Sequence, residues 1–272
     1  MSYNTSIANL PLLPERRKGA QKQKRRDVMS QRKGTALITG AAKRLGRAMA
    51  LSLVADGYDI ALHYNTSKEE AETLKDVLED MGAHVYLLQG DLTDTKVMEK
   101  LVSRAVKAAE HPLNILINNA SAFFPKPFAD TDAELLDFFF NIHLKAPFLL
   151  TQSFGEHCKN EKIQGNVINF TDIHIQKNPT NYMAYILSKK SLSDFTALAA
   201  KALGPDVRVN AIAPGHILKP VEGNEDQTDK ARKKAPMRRM GNVEDITGAM
   251  LSLLNNSYLT GQTLWVDGGL RL

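Results

Sequence analysis

The sequence predicts a doubly wound α/β fold, one parallel seven-stranded sheet with helices on both faces. Three observations predict it. From Thr35 onward, seven short apolar runs alternate with helix-length amphipathic segments. The runs are rich in β-branched residues and do not alternate in polarity, which suits strands buried on both faces. No Pro/Gly/Ser-rich linker divides residues 34–272, and 43% apolar residues in a 272-residue chain suffice for one large core.

The first run, Thr35–Thr39, leads into Gly40-Ala41-Ala42-Lys43-Arg44-Leu45-Gly46 and a helix near 44–56. Gly40 permits a tight turn at the strand end. Gly46 lets backbone N–H groups approach a phosphate at the helix start, and Lys43, Arg44 and Arg47 add formal charge to the helix dipole. The second run, Tyr58–Tyr64, ends in His63-Tyr64-Asn65-Thr66-Ser67-Lys68, before a helix near 68–82. Folds that select NAD place an acid here for the ribose 2′-hydroxyl. This chain has none until Glu69, and its hydroxyls, amide and lysine suit a 2′-phosphate; with Arg44, the expected cofactor is NADP(H). The third run, Val85–Gln89, is followed by Asp91-Leu92 and a helix near 95–109.

The fourth run, Asn114–Asn118, ends in Asn119-Ala120-Ser121, at the carboxyl edge where such sheets bind ligands. Phe123-Phe124-Pro125 follow in a loop, where Phe123 could stack on a flat substrate or pack into the core. One helical stretch near 131–156 carries Asn141 and His143, the latter read as a packed or surface histidine. The fifth run, Asn166–Thr171, delivers Asp172 to the same edge. In the stretch 181–203, the four-residue spacing of Tyr185 and Lys189 puts phenol and ammonium on one helix face. A neighbouring ammonium stabilises phenolate, so Lys189 is expected to lower the tyrosine pKa. After the sixth run, Val207–Ile212, come Pro214, Gly215, His216 and Ile217; His174 and His216 are candidates for the pocket rim. Residues 218–239 are polar with charges of both signs, as a mobile substrate lid would be. A helix near 243–255 and the run Thr263–Val266 complete the pattern.

Asp172 bears on the reaction. Ketone reduction builds negative charge on oxygen, and a carboxylate at about 4 Å opposes it by roughly 4 kcal/mol at a surface-like dielectric. A C=N bond is activated by protonation at nitrogen, which a carboxyl group can assist. Asp172 therefore favours imine-type substrates, unless it only caps the segment that follows.

Residues 1–33 hold nine of the 35 Lys/Arg and two of the 30 Asp/Glu, a sum of +7, leaving 26 and 28 in residues 34–272, a net of −2. The basic character belongs to the N-terminal segment, so nucleic-acid binding by the body is not expected. That segment reads as a disordered arm or extended start, as residues ahead of a start at Met29, or as a targeting or RNA-contacting piece. No apolar run is long enough to span a membrane. The single cysteine, Cys158, forms no internal disulfide and no cysteine-based zinc site; no metal is expected, and a reducing, cytoplasmic setting is.

Thr39–Gly46, Asp91-Leu92, Asn118–Ala120, Asn141, Tyr185/Lys189, Pro214-Gly215 and Thr260-Gly261 with Val266–Gly269 resemble the short-chain dehydrogenase/reductase family, over about residues 34–272. The resemblance implies a Rossmann-type sheet and cofactor contacts along Gly40–Gly46, Asn65–Ser67, Asp91-Leu92, Asn119–Ser121, Lys189 and Pro214–Ile217. It further implies Tyr185 as general acid, Lys189 as the residue that tunes it and holds the nicotinamide ribose, Asn141 in a water relay to Lys189, and a homotetramer. Three departures narrow it: Arg44 for the usual glycine, Ser121 with Phe123 after Asn118-Asn119-Ala120, and Asp172 for the usual serine. Together they resemble pteridine reductases and bacterial dihydromonapterin reductases. That branch implies Arg44 on cofactor phosphates, Phe123 stacked on a pterin and Asp172 delivering a proton with Tyr185. Trypanosomatid members have arginine where this chain has Thr66, and their long insertions are absent here, so the bacterial branch is nearer. The expected activity is NADPH-dependent reduction of a dihydropterin-type small molecule, with Phe123, Asp172, Tyr185 and His216 on the substrate side. A carbonyl reductase of the same fold, such as a 3-oxoacyl-carrier-protein reductase, and a non-catalytic NADP-binding scaffold with a basic tail are the alternatives.

Overall fold

The structure, a computed structural model, describes residues 32–218 and 233–272. Its strands are β1 (Gly34–Ile38), β2 (Tyr58–Tyr64), β3 (Val85–Gln89), β4 (Leu113–Asn118), β5 (Gly165–Phe170), β6 (Val207–Pro214) and β7 (Thr263–Val266). They form one seven-stranded sheet in the order β3-β2-β1-β4-β5-β6-β7, and every neighbouring pair is parallel. The helices are α1 (Arg44–Ala55), α2 (Lys68–Asp80), α3 (Thr95–Ala108), α4 (Ala133–Phe140), α5 (Ala146–Glu161), α6 (Met183–Leu203) and α7 (Val243–Asn255).

Successive strand residues face opposite sides, so each strand feeds two cores. Ile38, Ile60, Leu62, Ile117 and Ile212 pack on one face against Met49 and Leu53 of α1, Leu74 of α2 and Met250 of α7. Leu37, Ala61, Leu116, Val167 and Val209 pack on the other against Leu101 of α3, Leu150 and Phe154 of α5 and Ala199 of α6. Fully burying each large aliphatic side chain stabilises the fold by about 1.5–3 kcal/mol. With both faces covered, the strands have no solvent side on which to show alternation.

Two boundaries differ from the sequence reading. The single helix expected over 131–156 is broken: α4 and α5 are joined by a five-residue π-helical segment, Asn141–Lys145. Pro147 has no N–H to give the carbonyl of His143 an α-helical partner, and Ala146 N–H instead bonds back to Asn141 O. At the other end, packing begins before Gly34. The Arg32 side chain is 2% exposed, lies 3.4 Å from buried Asp59 and donates to the carbonyls of Val54, Tyr58 and Gly82. The remainder of the basic segment, residues 1–31, and the 219–232 part of the expected lid lie outside the described residues. Among the described residues no helix is long and apolar enough to cross a membrane.

Candidate active site

The strand order reverses between β1 and β4, and the loops beyond their carboxyl ends part there to leave a crevice. Two hollows meet in it. One, of about 320 Å³, is lined by Gly40, Lys43, His63, Asn65, Thr66, Ser67, Asp91, Leu92 and Ala120. The other, of about 510 Å³, is lined by Arg44, Leu45, Asn119, Phe123, Asp172, Tyr185, Lys189, Pro214, Gly215, His216 and Ile217. Ser121 borders both.

The smaller hollow has the features of an anion cradle. Gly40 sits at φ +62°, in the left-handed region, and an added Cβ would lie 3.1 Å from Ala120 Cα. Gly46 does not line the hollow; it lets α1 pack beneath the turn, where a Cβ would come within 2.8 Å of Ala41 Cα. Two struts hold the turn. Asn119 Nδ2 donates to the carbonyls of Thr39 and Gly40, and buried His63 accepts from Gly40 N–H at Nδ1 while Nε2 meets Gly90 O. Burial lowers the His63 pKa to about 4, so the strut is neutral. Unlike α3 and α7, which Asp94 and Asn242 cap, α1 has no side-chain cap and no acid in its first turn. Its free N–H groups and dipole are therefore available to a phosphate. Arg44 holds φ +52°, a strained conformation for a non-glycine residue, at the edge of the larger hollow. Lys43 instead pairs with Glu70 of α2. No acid occupies the Asn65–Ser67 stretch, and Asp91 is turned to its own loop, accepting from Thr93 N–H and Oγ1. These residues fit a dinucleotide with a phosphorylated ribose.

Chemistry converges on Asp172. Its Oδ1 accepts from His174 N–H at 2.7 Å and lies 2.6 Å from His174 Nδ1; its Oδ2 accepts from Tyr185 Oη at 2.7 Å. The carboxylate thus caps the short helical turn Ile173–Gln176 and also holds the phenol. Burial raises the Asp172 pKa, but the hydrogen bonds and charge of His174, with the Tyr185 hydroxyl, outweigh it and hold the group below its ordinary value. Tyr185 is pushed well above 10 by burial and by the adjacent carboxylate. Lys189 is fully buried, donates from Nζ to Phe170 O at 2.7 Å, lies 6.0 Å from the Tyr185 ring centroid, and is lowered by burial to about 8. This corrects one expectation. The ammonium's effect on the phenol is overridden by burial of the hydroxyl and by its direct hydrogen bond to a carboxylate, so Tyr185 stays protonated. Phe123 stacks on Tyr182 at 4.8 Å and 6° and meets Tyr185 edge-on at 4.9 Å. His174 and His216 stand together at the rim, ring centroids 5.9 Å apart.

Asn141, expected to support a water relay to Lys189, opens the π-helical segment, and its carbonyl accepts from Ala146 N–H. The same segment packs buried His143 on the catalytic tyrosine candidate, its ring 5.3 Å from that of Tyr185 and its pKa driven well below 6.5 by burial and by Lys189. One extra residue per turn in the π segment shifts the helix face by about 100°, and no periodicity in the sequence reports that shift. The His174 contact was also missed. Its signal is local, since a carboxylate two residues ahead of a histidine at a strand end is placed to cap and pair with it.

A family model described as enoyl-(acyl carrier protein) reductase matches residues 40–271. The crystal structure of FolM alternative dihydrofolate reductase 1 from Brucella canis, complexed with NADP, superposes with a TM-score of 0.81 at 32% identity, covering 88% of this chain and 94% of that one. The dihydromonapterin reductase of Enterobacter sp. (strain 638) is 30% identical over 86% of this chain and 95% of its own length. The L-xylulose reductase of Mus musculus is 31% identical over 86% and 95%. Overall identity therefore does not separate pterin from carbonyl substrates; the residues of the crevice must.

Proposed function

The chain belongs to the short-chain dehydrogenase/reductase family of NADP-dependent oxidoreductases, and from that premise we propose that it reduces a dihydropterin-type C=N bond. The observation that carries the reading is the Asp172 carboxylate, 2.7 Å from the Tyr185 hydroxyl at the mouth of the larger hollow. A carboxylate there disfavours an oxyanion and favours a nitrogen that takes up a proton.

NADPH, when bound, supplies the hydride. The Gly40 turn, the uncapped start of α1, Arg44 and the Asn65–Ser67 stretch would hold its phosphates, and Lys189 its nicotinamide ribose. The residues of the chain manage the proton. Tyr185, kept protonated by burial and by Asp172, would turn its one phenol proton from Asp172 to the substrate nitrogen when the substrate binds. Asp172 links that phenol to His174, whose side chain is 29% exposed, so a proton from solvent can be returned along His174, Asp172 and Tyr185 in turn. Phe123, 56% exposed above Tyr185, offers an aromatic face to a flat heterocycle. The NADP-bound and dihydromonapterin-reducing relatives support this reading.

The test is NADPH oxidation with a panel of dihydropterins and 3-ketoacyl thioesters, compared by kcat/KM. Turnover of dihydropterins at least tenfold more efficient than of ketoacyl thioesters is expected. A preference for the thioesters would replace the reading with carbonyl reduction.

A further inference from the structure

His143 has no part in the proton route through Asp172, yet it is 1% exposed and hydrogen-bonded at both ring nitrogens. Nδ1 lies 2.9 Å from Ser188 Oγ and Nε2 lies 2.8 Å from Ser121 Oγ. The protons follow by elimination. Ser188 Oγ has one proton and gives it to Tyr185 O at 2.7 Å, so towards His143 it accepts, and Nδ1 carries the ring hydrogen. Burial and the Lys189 charge keep the ring neutral, leaving Nε2 bare. Nε2 then accepts the Ser121 hydroxyl proton, and the Ala122 N–H approaches the same lone pair at 3.4 Å. The ring cannot turn over freely: it stacks on Phe139 at 5.7 Å and 24° and meets Tyr185 edge-on at 87°.

Ser121 is the exposed residue that borders both hollows. We propose that His143 is a positioning residue that takes up the Ser121 proton, so that Ser121 offers only lone pairs to the bound dinucleotide and accepts a hydrogen bond from one of its donor groups. A serine without this partner would donate or accept as the ligand dictated, and would lose orientation on binding. The inference rests on NADP dependence and is independent of the pterin substrate.

Two measurements test it on the full chain. In ¹⁵N spectra of histidine-labelled wild type at pH 7, assigned by comparison with His143→Gln, His143 is expected to carry its proton on Nδ1 and none on Nε2. A proton on Nε2, or a cationic ring, overturns the proposal. NADPH affinity is then followed by fluorescence titration. Ser121→Ala and His143→Met should each raise Kd about three- to tenfold, the worth of one hydrogen bond. Their double variant should be no worse than the worse single, because both remove one contact. His143→Gln, whose amide oxygen can accept from Ser121, should bind within about twofold of wild type. Losses that multiply in the double variant, unchanged affinity in Ser121→Ala, or a Gln variant as weak as Met each refute the relay. The wild-type spectrum and the Ser121→Ala titration decide the matter even if His143→Met does not fold, and neither depends on dihydropterin turnover.

Discussion

Replacing Asp172 by serine separates the two chemistries that this fold can support. The carboxylate accepts the Tyr185 hydroxyl on one oxygen and His174 on the other, so the substitution breaks the route between phenol and rim histidine while leaving the fold's apolar contacts alone. Serine can still accept from His174 N–H, so the cap of Ile173–Gln176 is retained and stability should fall by no more than about 1 kcal/mol. The loss of a general acid–base group lowers rate by about 10²–10⁴-fold, or roughly 3–5 kcal/mol of transition-state stabilisation. For a ketone the sign reverses. Removing a carboxylate about 4 Å from a developing oxyanion relieves about 4 kcal/mol at an effective dielectric near 20, and the serine hydroxyl adds a donor. Steady-state assays should therefore show dihydropterin kcat falling by at least a hundredfold, KM for NADPH nearly constant and ketoacyl thioester reduction rising. Tyr185→Phe should abolish both activities. A serine variant with full dihydropterin turnover would refute the role given to the carboxylate.

Arg44→Gly should raise KM for NADPH about tenfold, about 1.4 kcal/mol, by removing a cation that would face the cofactor phosphates, without lowering Tm, since glycine is at ease at φ +52°. Arg32→Ala, or truncation through Lys33, should cost about 1–2 kcal/mol in denaturant unfolding by removing one of the partners of buried Asp59, which keeps His84 N–H and His111, whereas removing residues 1–31 should leave stability unchanged. His63 titrates near 4 when folded and near 6.5 when unfolded, so the unfolded chain binds more protons between those values and stability rises with pH across that window. The span is about 3 kcal/mol, and His63→Gln should flatten the slope between pH 4 and 6.5 in urea melts. Phe148 of α5 and Leu187 and Leu198 of α6 are exposed apolar residues, and light scattering should give the mass of a tetramer; a monomer would remove that assignment.

The strands were legible because a parallel sheet buried on both faces leaves continuous apolar runs, and all seven appear within a residue or two of where those runs lie. Tyr185 and Lys189 were legible because a regular helix turns a four-residue spacing into one face, and Asp172 because strand ends share an edge. What tertiary structure decided are the features that depend on a partner far along the chain. The π segment ahead of Pro147 packs His143 against Tyr185. Burial and Asp172 together reverse the expected tuning of the phenol, because desolvation and a hydrogen bond at 2.7 Å outweigh an ammonium 6.0 Å from the ring. Arg32 belongs to the packed body because Asp59, 27 positions further on in β2, is buried beside it. Periodicity reports which face of an element is buried; it carries no information about which charge or hydroxyl waits on the other side.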